Sequence, residues 1–592
     1  MRNGKSQRGI ALLAMLAVFV MGGTYFMLRA LNSQPAVAAT RTAQTAESLN
    51  QAKQALVGYV AQRAALPTEN NPGRLPCPEA AAFVGTASEG IAAGNCTLPA
   101  VGRLPWRTLG LNMLRDASGE PLWYVVSPGW ALPTAGSLLT INSDTPGQLT
   151  VDGQANAALA LIIAPGAPMN VQTAAGCTAR IQARTAIPPD LRDYLECENA
   201  TSPADVAFLT SGPMASFNDH VLSVTTGDLI PSLEAAIASR IKRDVAPALK
   251  AAYSSAQWGL SATNALFPYP ATFTDPSASD YRGTAAGTLF SGAYQGLLPV
   301  TYSTDPATGT PCTLGPDPRC DPIFVRWLDP PAPTVTRTGG ADLASYNCTV
   351  STTTTSQIEC TLNTFSSILT PNSSMDFRLV ARADLVAMAL RQLDTSVAMS
   401  GVDPAPRTAS GVFDAAGDAT VTLDARVPAG GGGLVADLIC ALTGAAAIDF
   451  DCYIHTISVP IALLADHPVI NSSDPTYGWF TRNRWHQLIY YAVAQSHSAD
   501  ALPTPSCSSL PVVTCLKVTN VTPLNAQRSL LVLAGRDIQG APRPNATPAN
   551  YLEYGNNDLN DTFEQWPIST VIPANPTNRN PFNDRIVVID EN

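Results

Sequence analysis

The sequence predicts an α+β protein in which a long N-terminal transmembrane helix precedes two tandem α+β heads, the second carrying an inserted, disulfide-tied β-rich domain. Three observations predict this architecture: an uncharged apolar run near the N-terminus, five sequence blocks that recur in the same order, and twelve cysteines grouped as neighbouring couples. A chain of 592 residues is also too long for one hydrophobic core, because single cores rarely grow beyond roughly 300 residues.

The apolar run covers residues 10–28 and is long enough to cross a hydrocarbon core of roughly 30 Å. Arg2, Lys5 and Arg8 precede it, and the positive-inside rule then places the short leader in the cytoplasm and the body outside. We therefore expect an inner-membrane, single-pass protein with a periplasmic body.

Three interpretations of this segment compete. A cleavable signal peptide is suggested by the small residues Ala36 and Ala38, although the apolar run exceeds the 7 to 15 residues usual for such peptides. A plain signal anchor is the second interpretation. The third starts from Lys5-Ser-Gln-Arg8-Gly9, which stands directly before Ile10-Ala-Leu-Leu and resembles the leader of type IV pilins and of type II secretion pseudopilins.

In that family a prepilin peptidase in the membrane cuts after the glycine and the new N-terminus is methylated, so the resemblance implies Gly9 and Ile10 as the processing site. The fifth residue after the cut is Ala14, where most pilins carry a glutamate that pairs with a neighbouring subunit. A subunit without this glutamate is better suited to the end of a fibre. The resemblance implies a minor or tip component, extracellular at a fibre tip, whose helix contacts other pilin or pseudopilin subunits.

A second helical pattern follows the apolar run. Apolar residues recur at near-helical spacing from Ala46 to Val60, which predicts that the helix continues to Ala65. Pro35 is expected to kink or interrupt this helix, and Pro67 is expected to end it. The resulting stalk of about 80 Å is the layout of pilins, and an ordinary anchored stalk is the alternative.

The recurring blocks indicate a tandem duplication, since five collinear matches are unlikely to arise by chance. Each copy is also preceded by a helical pattern, the second at residues 228–256, with Pro231 early and a kink expected at Pro247. The apolar blocks are typical of buried strands. The matched blocks are Leu75-Pro-Cys-Pro78 with Phe267-Pro-Tyr-Pro270, Leu122-Trp-Tyr-Val-Val126 with Ile489-Tyr-Tyr-Ala-Val493, Leu159-Ala-Leu-Ile-Ile-Ala164 with Leu530-Leu-Val-Leu-Ala534, Tyr194-Leu-Glu-Cys-Glu-Asn199 with Tyr551-Leu-Glu-Tyr-Gly-Asn556, and Phe217-Asn-Asp-His-Val-Leu222 with Phe582-Asn-Asp-Arg-Ile-Val587.

The spacing between blocks places the insertion. Each copy of the first block is followed by a matching Leu-Pro pair, Leu104-Pro105 in the first unit and Leu298-Pro299 in the second. Pro105 and Tyr124 are 19 residues apart, whereas Pro299 and Tyr491 are 192 apart. The insert contains Thr-rich alternating runs such as 419–427, with helical pieces expected at 383–393 and 434–442. The predicted organisation is a leader at 1–9, a transmembrane and stalk helix at 10–66, a first pilin-like head at 67–227, a helix and the start of the second head at 228–301, the inserted β-rich domain at 302–475, and the remainder of the second head at 476–592.

The cysteines predict six local disulfides, which persist only in an oxidising compartment. Free buried thiols are the alternative, and zinc is disfavoured because no CxxC pair exists and no histidine lies beside a cysteine at ligand spacing. The connectivity stays open. The candidate couples are Cys77 and Cys96, Cys177 and Cys197, Cys312 and Cys320, Cys348 and Cys360, Cys440 and Cys452, and Cys507 and Cys515.

The sequence offers little that points to catalysis. A net charge of −11 and a pI near 5.0 argue against nucleic acid as a partner, and HExxH, Gly-x-Ser-x-Gly and Walker motifs are absent. His220 corresponds to Arg585 in the repeat, and a catalytic histidine should not be exchangeable for arginine. Asn556, Asp558 and Asn560 form a weak calcium candidate without the usual glycine; a solvated acidic turn is the alternative, and no other cofactor is expected.

Three hypotheses follow. The first is a non-catalytic minor or tip pilin-like subunit of a type IV pilus or type II secretion pseudopilus, acting in the initiation of fibre assembly or in adhesion, with a surface ligand for the inserted domain. The second is a membrane-anchored periplasmic enzyme whose site residues are scattered in the sequence. The third is a plain envelope binding protein that takes no part in fibres.

Overall fold

The computed structural model describes residues 7–97, 99–132, 139–201, 206–212 and 216–254, and shorter stretches of the remaining chain. In the first helix the side chains are described at 15–24 and from residue 37 onward. The shorter stretches are 265–267, 270, 294–298, 324–327, 334–338, 340–341, 345–350, 358–364, 374–381, 393–400, 408–413, 419–424, 426, 453–459, 461–464, 477–497, 507, 515–519, 524, 526–538, 543, 547–558, 560–569 and 581–591.

The chain divides into two compact units. The first comprises residues 1–63, 73–139 and 145–232, and the second comprises residues 64–72, 140–144 and 233–592. These units differ from the predicted domains in residues 228–232, which belong to the first unit although they were predicted to begin the helix of the second head. They also differ in residues 64–72 and 140–144, which we call the strap segments. Both lie in the stretch predicted as stalk and first head, yet their contacts place them in the second unit.

A single helix, α1 (Gln7–Ala64), begins the first unit and runs without interruption past Pro35. It ends three residues before Pro67, whose ring cannot continue a helix. Its C-terminal half buries one stripe, Thr45, Leu49, Ala52, Leu56 and Val60, at spacings of three and four residues.

Polar contacts fix this part of α1 to the rest of its unit. The Ser48 hydroxyl donates to the main-chain oxygen of Arg115 at 2.8 Å, and Lys53 Nζ lies 2.8 Å from Asp228 Oδ2. The apolar stripe and these contacts together hold the helix against the first head.

The described residues of the first unit form nine strands, and the main sheet is antiparallel with the order β1-β2-β5-β9. The central strands β2 and β5 are buried throughout, which is why they read as unbroken apolar runs in the sequence. The strands are β1 (Ala100–Arg103), β2 (Trp123–Val126), β3 (Leu149–Val151), β4 (Gln154–Ala158), β5 (Ala160–Ala164), β6 (Asn170–Val171), β7 (Arg180–Ile181), β8 (Ala207–Phe208) and β9 (His220–Val224).

A broken helix follows β9. It consists of α2 (Thr226–Arg240), a π-helical turn (Ile241–Val245) and α3 (Ala246–Tyr253). The π-helical turn ends two residues before Pro247, the residue at which the sequence predicts a kink. Pro247 has no N–H for an α-helical bond and its ring crowds the preceding turn, and a wider turn relieves both problems.

The second unit repeats the same strand order, with an antiparallel sheet β10-β22-β24-β26. The recurring apolar blocks occupy corresponding strands, β2 with β22 and β5 with β24, and the blocks that begin at Phe217 and Phe582 lead into β9 and β26. The helix of this part is α4 (Gly478–Arg482), and the strands outside the insert are β10 (Gln295–Leu297), β22 (Ile489–Val493), β23 (Lys517–Val518), β24 (Gln527–Leu533), β25 (Thr562–Phe563) and β26 (Arg585–Glu591).

The described part of the insert is built from strands. Its first and last strands, β11 and β21, pair with each other, and the next two, β12 and β20, also pair. The predicted helical pieces at 383–393 and 434–442 lie outside the described residues, apart from the strand residue Leu393. The strands are β11 (Phe324–Trp327), β12 (Thr334–Arg337), β13 (Gly340–Ala341), β14 (Ser345–Val350), β15 (Ile358–Thr364), β16 (Ser374–Ala381), β17 (Leu393–Ser400), β18 (Thr408–Phe413), β19 (Ala419–Asp424), β20 (Ile454–Val459) and β21 (Ile461–Leu464).

These strands form two larger sheets, with the orders β13-β12-β20-β19-β18 and β14-β15-β16-β17. Because the entering and leaving strands lie side by side, the insert departs from the second head and returns to it at neighbouring points.

Candidate functional site

The predicted processing residues Gly9 and Ile10 lie in the first turns of α1, and their side chains are outside the described part of the chain. Of the predicted membrane span 10–28, the side chains of residues 15–24 are described, and six large apolar ones among them are 58 to 79% exposed. These are Met15, Leu16, Val18, Phe19, Val20 and Met21. Among the described residues, no helix carries an apolar stretch long enough to cross a membrane.

Two of the repeated sequence blocks meet in the first unit to form a buried hydrogen-bonded cluster. Glu196 accepts the main-chain N–H groups of Asn218 and Asp219, each at 3.0 Å, through Oε2, and the Gln182 side-chain amide at 2.6 Å through Oε1. Asp219 Oδ2 in turn accepts the Glu196 N–H at 3.2 Å and Asn199 Nδ2 at 3.0 Å. The cluster ties the 3₁₀ turn at 197–200 to the start of β9.

The second unit contains the same cluster, built from the matching blocks. Glu553 Oε2 accepts the Asn583 N–H at 3.1 Å, and Asp584 Oδ2 accepts the Glu553 N–H at 3.0 Å and Asn556 Nδ2 at 2.9 Å. Asp584 immediately precedes β26, as Asp219 immediately precedes β9. We call each Glu–Asp pair with its asparagine a carboxyl latch.

The aspartates of both latches are fully enclosed, and burial raises the pKa of Asp219 and of Asp584 well above the usual range for aspartate. The adjacent glutamate charge raises each aspartate pKa further. Burial also raises the pKa of Glu196 and Glu553, but the N–H donors around them oppose this shift. Within each latch the pKa of the aspartate is thus raised more strongly than the pKa of the glutamate.

A cavity of about 430 Å³ lies beside the first latch. Its lining includes Glu196, Cys197 and the arginines Arg180 and Arg192. Both guanidinium groups are already held by carboxylates, because Arg180 binds Asp193 at 2.6 Å and Arg192 binds Asp190 at 3.3 Å. The cavity can admit a small polar molecule, but its cations are occupied by neighbouring acids.

Three of the predicted cysteine couples are bonded: Cys77–Cys96, Cys177–Cys197 and Cys507–Cys515. Cys348 and Cys360 stand directly opposite each other in the antiparallel pair β14 and β15. The members of the remaining couples, Cys312, Cys320, Cys440 and Cys452, lie outside the described residues.

One histidine lies beside a cysteine couple, although their sequence spacing is not that of a metal site. His497 Nδ1 is 4.0 Å from Cys515 Sγ, and the ligand atoms of His497, Cys507 and Cys515 lie within 4.8 Å of one another. The two sulfurs are bonded to each other, so they are not thiolates able to bind a metal ion. Burial lowers the pKa of His497 to about 4, which keeps its imidazole neutral.

The weak calcium candidate is occupied by internal hydrogen bonds. The Asn556 side-chain oxygen accepts the Glu564 N–H at 2.7 Å, and the Asn556 amide donates to the second latch. Asp558 accepts the Asn560 N–H, and Asn560 Oδ1 accepts the Thr562 N–H. These oxygens close local turns by accepting main-chain N–H groups, and Asn556 is buried. The calcium site and its alternative, a solvated acidic turn, both stay predictions.

Side chains of the second unit hold both strap segments. Asn483, fully buried, donates to the main-chain oxygen of Asn70 at 3.1 Å and accepts the Ile141 N–H at 3.1 Å. Arg543 forms a two-pronged ion pair with Asp144, with Nε at 3.0 Å from Oδ2 and Nη2 at 2.5 Å from Oδ1. These contacts explain why residues 64–72 and 140–144 belong to the second unit.

No family model matches the chain, and no curated protein or solved structure shows significant similarity to it. The sequence patterns did not identify the carboxyl latches as a site. Their signal was nevertheless present, because the blocks that begin at Tyr194 and Phe217 recur together at Tyr551 and Phe582, and each pair of blocks makes one latch.

Proposed function

We propose that this chain is a non-catalytic minor or tip pilin-like subunit that acts at the end of a type IV pilus or a type II secretion pseudopilus. The observation that carries this proposal is the difference in side-chain burial between the two halves of α1. Its C-terminal half is packed against a four-stranded antiparallel head, whereas residues 15–24 expose large apolar side chains. Such a surface requires lipid or other helices to cover it.

The duplicated head supports a terminal position in a fibre. A shaft subunit repeats along the fibre and needs room above it for the next copy, whereas a second head and an insert of about 170 residues add bulk to this subunit. Ala14 in place of the assembly glutamate supports the same position. The insert, with its paired entering and leaving strands β11 and β21, supplies the surface for a ligand or for adhesion.

A membrane-anchored enzyme is the second candidate, and one observation favours it: the cavity beside Glu196, whose pKa is raised by burial. However, the same Glu–Asp arrangement recurs at Glu553 and Asp584 in the second head. Recurrence at two equivalent strand starts favours a structural role for the carboxyl groups. We therefore place the fibre subunit first.

The test is mass spectrometry of the N-terminal peptide of the chain purified from its native membranes. The proposal predicts a start at N-methylated Ile10. A Gly9→Val variant should keep Met1, whereas the matched Gly4→Val variant should be processed like the wild type. A wild-type start at Met1 would indicate a plain anchor, and a start near Ala39 a released protein; either result contradicts the proposal.

A further inference from the structure

We propose that each carboxyl latch holds one proton shared between its aspartate and its glutamate, and that loss of this proton releases the final strand of both heads. The proposal makes the fold of the two heads dependent on pH at two equivalent places. It concerns the duplicated latch and does not depend on whether the chain is a fibre subunit.

The hydrogen bonds themselves locate the proton in the first head. Glu196 receives three N–H donors on its two oxygens, the pattern of an ionised carboxylate. Asp219 Oδ2 receives two donors, while its buried Oδ1 has no donor among the described residues. The Glu196 N–H donates to Asp219 and the Asp219 N–H donates to Glu196, so the two buried carboxyl groups are neighbours, and a proton on one of them removes the repulsion between two adjacent anions.

The second head gives the same assignment independently. Asp584 Oδ2 receives two donors, and Oδ1 is again buried without a donor in the described part of the chain. The Glu553 N–H donates to Asp584 and the Asn583 N–H donates to Glu553, so the two carboxyl groups are again neighbours. Agreement between two copies with different surroundings argues that the shared proton is a property of the repeated blocks.

Few charges face the latches. In the first head, Gln182 stands between Glu196 and Arg184, whose Nη2 donates to the Gln182 oxygen at 3.1 Å. In the second head, Arg543 is the cation whose field acts on Glu553. Asn199 and Asn556 are neutral. The charge opposing ionisation of each aspartate is therefore the partner glutamate, and removing the proton leaves two adjacent buried anions.

The latch controls an edge strand in each head. Among the described strands, β9 pairs only with β5 in its sheet, and β26 pairs only with β24. Asp219 and Asp584 immediately precede these strands and connect them to the turns that carry Asn199 and Asn556. Repulsion between the two carboxylates of a latch therefore acts on an edge strand, which is held by a single neighbouring strand.

The linkage has a definite sign. The native aspartate binds its proton more tightly than the unfolded aspartate, so stability is complete below the ordinary carboxyl pKa of roughly 4 and falls as the pH rises toward the native value. Asparagine reproduces the protonated aspartate, since its oxygen accepts the same N–H groups and its amide donates to the glutamate. The asparagine side chain has no acidic proton to lose as the pH rises.

The experiment compares urea midpoints of the full-length chain at pH 5, 7 and 9. For the Asp219→Asn/Asp584→Asn double variant, we expect a midpoint that exceeds the wild-type value by a margin that grows with pH. Asp116→Asn is the matched control, because buried Asp116 accepts the N–H groups of Ser118, Glu120 and Gly166 and has no carboxyl partner in a latch. We expect this control to lower the midpoint at every pH.

A lower midpoint for the double variant at every pH, like that of the control, would overturn the proposal. A second measurement covers the case in which the variants fail to fold. Unfolding of the wild-type chain in unbuffered urea at pH 8 should release the protons that the native latches retain. Release of no protons would also overturn the proposal.

Discussion

Arg240 places its guanidinium carbon 4.0 Å from the centroid of the Trp479 ring, within the second unit. The same guanidinium donates to the main-chain oxygens of Glu69 and Pro67, at 2.7 and 2.8 Å. The arginine is 1% exposed. One side chain from α2 thus joins the first strap segment to an aromatic residue of α4, and this contact is a direct link between the chain that follows the long helix and the second head.

Replacement of Arg240 by alanine should destabilise the second unit strongly. The change removes a desolvated cation–π contact and two charge-assisted hydrogen bonds, one of which is to the main-chain oxygen of the buried residue Glu69, so we expect a loss of about 3 kcal/mol in the free energy of unfolding. Arg243→Ala is the control, because Arg243 is 47% exposed and contacts Asp244 and the Ala65 oxygen. Urea unfolding measures both, and equal losses would contradict this account.

Asn483 should be the second residue on which the strap segments depend. Its side chain makes three hydrogen bonds, to Asn70, Ile141 and Trp479, from a fully buried position. Asn483→Ala should cost roughly 2 kcal/mol, and proteolysis should cut more readily within 64–72 and 140–144. Asn142→Ala is the milder control. Unchanged cleavage in these segments would show that they are held by other contacts.

Glu234 gives the second unit a separate pH dependence. Burial raises the pKa of this carboxyl to about 7, although Arg585 and Arg543 attract its charge and Ser143 and the Arg536 N–H bind it. Because its pKa is raised, the contribution of Glu234 to stability is complete below about pH 4.5 and is lost as the pH rises toward 7. Glu234→Gln should flatten the urea-midpoint profile between pH 5 and 7. An unchanged slope would contradict the assignment.

The insert should contain a disulfide between Cys348 and Cys360. These residues are register partners in adjacent antiparallel strands, where side chains on one face lie close together. Peptide mapping without reduction should recover a linked Cys348–Cys360 pair. Alkylation of either thiol in the folded, oxidised chain would contradict this prediction, and the bonded Cys77–Cys96 pair serves as the internal control.

The repeated apolar blocks were visible in the sequence because their strands are buried on both faces. The residues of β2 and β22 are buried without exception, so they carry no alternating polar signal and stand out as continuous runs. The local cysteine couples were equally visible, since short separations leave few pairing choices. These features depend on residues that are near each other along the chain.

The strap segments and the latches could not be predicted in the same way. Asn483 and Asn70 are 413 residues apart, and Arg240 and Pro67 are 173 apart, so no local pattern reports their contacts. The latches lay within recognised repeats, but their chemistry depends on burial and on which oxygen lacks a donor. The π-helical turn before Pro247 is one of several ways in which a helix can accommodate a proline. The sequence therefore predicts a kink there but not the type of turn.

The most direct test of the central claim is to locate the protein on isolated fibres. Immunogold labelling with an antibody against the inserted domain, applied to fibres sheared from the native host, should place label at a single end of each labelled fibre. A strain lacking the gene supplies the control for antibody specificity. Label distributed along the shaft, or fibres without label while the membranes retain it, would contradict a tip position.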